Sequence, residues 1–110
     1  MKGKPLLPTL RTKKRYVVYE VISDKEIDNA RVTRAISDSY KECFGIFGLG
    51  KAQLKDMKIY NKNKGILKVN HKYMDELRTA LAMVKHIDNM QVILHTVGAS
   101  GILKKAKTRL

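Results

Sequence analysis

Apolar residues recur along this chain at two different spacings, and the order in which the spacing changes limits the fold more than any other feature. From Arg15 to Ile22 the run RYVVYEVI is β-branched and aromatic, which reads as a buried central strand. Ile27, Ala30, Val32, Ile36, Tyr40 and Cys43 then follow a helical stripe. Ser23 with Glu26 makes a capping-box pattern, and Asp24 and Asp28 put negative charge where a helix dipole favours it, so a helix is expected to begin there. Leu54 to Asn61 and Ile66 to Asn70 alternate, and Asn61 to Gly65 (NKNKG) reads as the hairpin turn between them. On that register Met57 and Ile59 share an apolar face with Leu67 and Val69, while Lys58, Tyr60 and Lys68 form a basic one. Asn70 caps a second helix carrying Met74, Leu77, Leu81 and Val84 on one stripe, with Asp88 at its end. Gln91 to Val97 is a further strand. The succession β-α-β-β-α-β predicts an α+β domain, a ferredoxin-like or RNA-recognition-like sandwich with a four-stranded antiparallel sheet and two helices on one face.

Between the first helical stripe and the hairpin lies Phe44 to Ala52, FGIFGLGKA. Gly45 to Lys51 satisfies G-x-x-x-x-G-K, but the position that must offer a hydroxyl to magnesium is Ala52, and the order is helix-glycine-strand instead of strand-glycine-helix. Nucleotide hydrolysis is therefore excluded as the leading reading. Gly45 is expected to supply a left-handed helix cap with Phe44, Ile46 and Phe47 tucked into the core. Gly48, Gly50 and Lys51 are expected to present amides and an ammonium to a phosphate.

Charge points to that phosphate. The chain carries 23 Lys plus Arg against 10 Asp plus Glu, a formal net charge of +13, so a polyanion is the expected partner. The bases are concentrated: residues 1–15 hold six and no acid, 51–72 hold seven and one acid, and 101–110 hold four and no acid. The remaining six bases sit among nine acids, so a mildly acidic body carries three basic segments. Residues 1–14 are read as an extended basic arm, 15–98 as the domain, and 99–110 as a basic helix or arm. No apolar run is long enough to span a membrane. The lone Cys43 is read as a small buried hydrophobe in a reducing, cytoplasmic setting.

The fold class is shared by RNA-recognition motifs, whose third strand carries three aromatics. Here Lys64-Gly65-Ile66-Leu67-Lys68-Val69-Asn70-His71 keeps Lys-Gly and Val but has none of them, so base stacking on the sheet gives way to gripping structured RNA through its phosphates. Catalytic and metal constellations are weak. Asp24, Glu26, Asp28, Asp75 and Glu76 are explained by helix first turns, and His71, His86 and His95 fall on different elements without a cysteine pair. The candidate RNA-binding residues are Arg11, Lys13, Lys14, Arg15, Gly48, Gly50, Lys51, Lys58, Tyr60, Lys68, Lys104, Lys105 and Lys107. A ribosomal or other structured-RNA-binding protein, and a ferredoxin-like protein-interaction module, are the alternatives these residues leave open.

LPTLRTKKRYVVYEV (Leu7 to Val21), GIFGLGKA (Gly45 to Ala52) and HTVGASGILKKAK (His95 to Lys107) together resemble ribonuclease P protein component two, the archaeal relative of a eukaryotic ribonuclease P and MRP subunit. The resemblance spans nearly the whole chain, and none of the motifs is a catalytic signature. It implies an RNA-recognition-like sandwich in the ribonucleoprotein that removes the 5′ leader of precursor tRNA, with cleavage left to the RNA and no active site on the protein. It further implies ribonuclease P RNA as the direct partner, precursor tRNA as an indirect one, and a TIM-barrel-like protein subunit with possible self-association in a heterotetramer. No cofactor is expected on the protein, and Mg2+ is expected on the RNA.

Overall fold

A computed structural model describes residues 13–110. Arg11 and most of the basic arm lie outside the described residues. The elements run β1 (Lys14–Ser23), α1 (Asn29–Ala52), β2 (Lys55–Asn61), β3 (Lys64–Asn70), a 3-10 turn (His71–Tyr73), α2 (Met74–Met83), β4 (His86–Ile87), β5 (Met90–Ser100) and α3 (Leu103–Lys107). The sheet is antiparallel with strand order β2-β3-β1-β5-β4, and β1 is central as its composition predicts. It has five strands, not the four expected. The extra one, β4, is two residues long and folds back on β5 through Asp88 and Asn89, both left-handed (φ 52 and 66). Asp88 is thus a turn residue, and α2 ends at Met83.

The capping box does not form. Ser23 is still in the β1 ladder opposite Val92, and its hydroxyl donates to the Lys25 carbonyl (2.6 Å). Asp28 caps α1 instead, accepting from the Ala30 N–H at 3.3 Å, so Asp24 and Glu26 lie in the preceding loop. Asn70 behaves as expected at the other helix entrance: its side chain accepts from the Lys72 N–H (3.1 Å) and opens the 3-10 turn that leads into α2.

Gly45 does break the first helix, with φ 80 and ψ 171, a conformation open to glycine. The chain then resumes helical geometry through Ala52, where an open loop was expected, and ends on Gln53 in the left-handed region with its N–H on the Gly50 carbonyl (3.3 Å). Only Phe44 of the expected anchors packs inward, its ring 5.1 Å from that of Tyr40. Phe47 is 85% exposed and Ile46 68% exposed, because after the kink the segment presents Leu49 and Ala52 to the core in their place. Cys43 is exposed as well, on the outer side of the last full turn before the break.

Both faces of the sheet are apolar. On the inner face α1 and α2 cover Val17, Tyr19, Val21, Leu67, Val69, Val92 and Leu94 with Val32, Ile36, Tyr40, Leu77 and Leu81. On the outer face α3 covers Val18 and Ile66 with Ala106, flanked by Tyr16, Met57, Ile59, Val97 and Leu103. Met57 and Ile59 therefore do not share a face with Leu67 and Val69. The cause is a bulge in β2: Asp56 pairs with Leu67 and Tyr60 with Gly65, so three residues of β2 oppose Ile66 alone, and Lys58 takes a left-handed φ of 56. A helix on each side replaces the expected single helical layer and basic opposite face. Among the described residues, no helix is long and apolar enough to cross a membrane.

Candidate nucleic-acid interface

The antiparallel register brings the basic segments to one end of the sheet. Lys14 opens β1 opposite Asn70 at the close of β3, Lys55 opens β2 opposite Lys68, and Tyr16 lies between Lys68 and Ser100. Lys51 in the last turn of α1 and Lys72 in the 3-10 turn border the same end. The backbone is locked there by the His71 N–H donating to the Lys13 carbonyl (2.9 Å). Lys14 donates its ammonium to the side-chain oxygen of Gln53, which joins the root of the arm to the end of α1. A Cβ on Gly101 would meet the Arg15 guanidinium at 2.7 Å, so Arg15 runs against the turn that starts α3. Lys104, Lys105 and Lys107 are exposed on α3, whose Ala106 faces the sheet.

Little negative charge opposes these cations. Among the described residues, ion pairs join Arg31 to Asp88 (2.8 Å) and Arg78 to Asp75 (3.8 Å), His95 Nε2 lies within hydrogen-bond distance of Glu20 (2.8 Å), and none of these draws on a candidate site residue. Asp56, the acid in the middle basic segment, is occupied. It accepts from the Thr33 hydroxyl (3.1 Å), the Lys58 N–H (2.8 Å) and the Tyr60 hydroxyl. Glu76 accepts from the Tyr40 hydroxyl at 2.7 Å.

Tyr60 is half-buried on the inner face, away from Lys68, with its hydroxyl turned to Asp56. Burial first, and then the bond and charge of Asp56, push its pKa up to about 12. Lys58 stands apart at the bulge, exposed at the sheet edge. Gly48 and Gly50 sit inside the helical segment after the kink, so their amides follow a helix axis in place of the expected open cradle. The structure thus brings Lys13, Lys14, Arg15, Lys51 and Lys68 to one end of the sheet, while α3's lysines are exposed on an outer-face helix that starts beside Arg15 and runs toward Lys64. It leaves Lys58 and Tyr60 out.

Sequence reasoning missed Lys55. A regular hairpin through NKNKG would place it opposite Asn70; the two-residue slip of the bulge sets it against Lys68, and nothing in the sequence marks Lys58 as left-handed. The wide groove between α1 and the α2–β4 connection is of another character. At about 620 Å3, it is lined by Asp38, Ser39, Glu42, Cys43, Lys85 and His86, a mixed wall of two acids and one lysine in contrast to the basic end of the sheet. Among the described residues, no three His, Cys, Asp or Glu side chains gather as metal ligands.

Known proteins share this chain's pattern. It is 32% identical to ribonuclease P protein component 2 of Archaeoglobus fulgidus over 113 residues, covering 99% of this chain and 96% of that protein. It is 35% identical to the protein of that name from Pyrococcus horikoshii over 111 residues, covering 98% and 91%. Among solved structures, a chain in the cryo-EM structure of yeast ribonuclease MRP superposes with a TM-score of 0.69 at 16% identity, covering 84% of this chain and 77% of that one, a likeness of fold. The resemblance carried by the three sequence motifs is borne out, since the model of the Rpp14/Pop5 family matches residues 15–110 from the first charged residues of β1 through α3: the chain belongs to the Rpp14/Pop5 family.

Proposed function

We infer that this chain is a protein subunit of ribonuclease P, the endoribonuclease complex that cleaves precursor tRNA to mature 5′ ends. Family membership and full-length relatives named ribonuclease P protein component 2 support the reading. The observation that carries it is the convergence, at one end of the sheet, of lysines from β1, α1, β2, β3 and the 3-10 turn with no acid paired to them among the described residues. Such a surface neutralises closely spaced phosphates of a folded RNA. With α3 over the outer face, where an RNA-recognition motif would stack bases, grip through phosphates and shape is the available mode.

In this reading the RNA performs the cleavage and holds the Mg2+, and the protein, with no cofactor or active site of its own, lowers the magnesium the RNA needs. Precursor tRNA is met indirectly, in the cytoplasm. A TIM-barrel-like protein subunit and a second copy in a heterotetramer are the protein partners, and the exposed Ile46, Phe47 and Met83 give them apolar surface to cover. The contacts assigned to RNA are Lys13, Lys14, Arg15, Lys51, Lys68, Lys104, Lys105 and Lys107, with Arg11, Gly48, Gly50, Lys58 and Tyr60 as further contacts. Reconstitution with ribonuclease P RNA tests the reading. Lys51→Ala, Arg11→Ala and Lys104→Ala should each raise the magnesium requirement and reduce the salt slope of binding by about 0.7–0.9 for every phosphate left without its cation, with the cleavage site unchanged. Unchanged magnesium and salt dependence in all three would sink the electrostatic mechanism.

A further inference from the structure

We propose that Lys55 and Lys68, directly opposed on β2 and β3, form a two-pronged clamp for a single RNA phosphodiester on the outer face of the sheet. The proposal rests on the ribonuclease P reading and adds a residue and a geometry to it. Directly opposed residues of an antiparallel pair have Cβ atoms about 4.5–5.5 Å apart and point to the same side, where like charges repel. Lys68 is half-buried, hemmed by Tyr16 on its other flank, so its ammonium has limited room to retreat into water. Asp56, the nearest acid in sequence, points to the inner face and is taken up by Thr33 and Tyr60, while Glu20 on the outer face pairs with His95 toward the opposite end of β1. Lys14 could share the load but is turned to Gln53. Among the described residues neither ammonium of the pair has a hydrogen-bond or ion-pair partner.

A phosphodiester removes the conflict, since its two non-bridging oxygens accept from the two ammoniums separately and its charge lies between them. An isolated carboxylate has the same two oxygens. Lys13, Lys51 and Lys72, exposed at the same end of the sheet, favour a ligand whose charges repeat along a backbone, which is why RNA is assigned in preference to an acidic peptide. The clamp is therefore strained in the free protein and relaxed in the complex.

Two readouts on the full chain test this, with Lys55→Gln, Lys68→Gln, the double variant, and Lys25→Gln as a control in the β1–α1 loop. In RNA-free melts at fixed ionic strength, each single clamp variant should melt about 2–4 °C higher than the wild type in chloride, as the repulsion is removed. Replacing chloride by inorganic phosphate should raise the melting temperature of the wild type and of Lys25→Gln by more than that of the clamp variants, which keep only the general stabilisation by an excluded anion. In filter binding to ribonuclease P RNA, each single variant should lose several-fold in affinity, and the double variant less than the product of the two losses, because both prongs share one phosphate. Equal phosphate stabilisation of wild type and variants, multiplicative losses in the double variant, or competition by polyglutamate equal to that by RNA at matched charge would each overturn the clamp. Failure of the wild type to activate ribonuclease P RNA would instead overturn the functional reading and leave the phosphate-dependent melts standing.

Discussion

The inner face of the sheet buries side chains from four strands under two helices, whereas the outer face buries Val18 and Ile66 under a helix of five residues that contributes Ala106. The first is a complete core of the kind that sets the stability of a domain. The second is only large enough to seat one short helix, and its margins, Lys55, Lys68 and the lysines of α3, are charged. The two faces thus differ in kind, the inner one carrying the main core and the outer one a small cluster with lysines at its margins.

Substitutions can challenge this division. Leu77→Ala, in the fully buried layer of α2, should destabilise by about 2–5 kcal/mol in urea unfolding, through reduced burial and the cavity left behind. Ala106→Asp, equally buried but on the outer face, should cost about 1–2 kcal/mol, since a five-residue helix can swing away to hydrate the charge. Equal costs for the two would mean that the faces are a single core. Tyr60→Phe deletes the bond to Asp56 and should cost about 0.5–1.5 kcal/mol near neutral pH.

The same tyrosine reports on the inner face through pH. Its pKa is raised above the ordinary value of 10.0 to about 12, so the unfolded chain ionises first as pH rises. Its stabilising contribution is full below pH 10 and is lost between pH 10 and about 12, with Tyr19 and Tyr40, also raised chiefly by burial, acting in the same direction. Urea unfolding across that window should show a fall in stability that is shallower in Tyr60→Phe. The smallest effect on stability belongs to Lys51→Ala, within about 0.5 kcal/mol for an exposed last-turn lysine, though the same change should register in the salt dependence of RNA binding.

What could be read from the sequence divides along physical lines. The strand RYVVYEVI, the turn NKNKG, the Asn70 cap and the stripe of Leu77 and Leu81 depend on local chemistry, and each stands where the spacing put it. The start of α1 did not, because two acids and a serine competed for one cap and strand pairing held Ser23. The faces of the hairpin were misassigned because period-two reasoning assumes an unbroken ladder, and a bulge at Lys58 is decided by tertiary fit. Gly45 was legible as a break but not the direction the chain takes after it, and that direction exposes Phe47. At the candidate interface the charge concentration was plain, while the opposition of Lys55 and Lys68 required the register.

Val18 pairs with Gly98, so the sheet is thin beneath α3, and Tyr16, Val18 and Ile66 belong to the cluster that this helix closes. The chain has therefore prepared two interiors and provided only one with a substantial cover. Cut after Ser100, it would leave Tyr16, Val18, Ile66 and Val97 open to water beside Met57 and Ile59. An apolar sheet face opened in that way favours self-association, so solubility is what the closing helix protects.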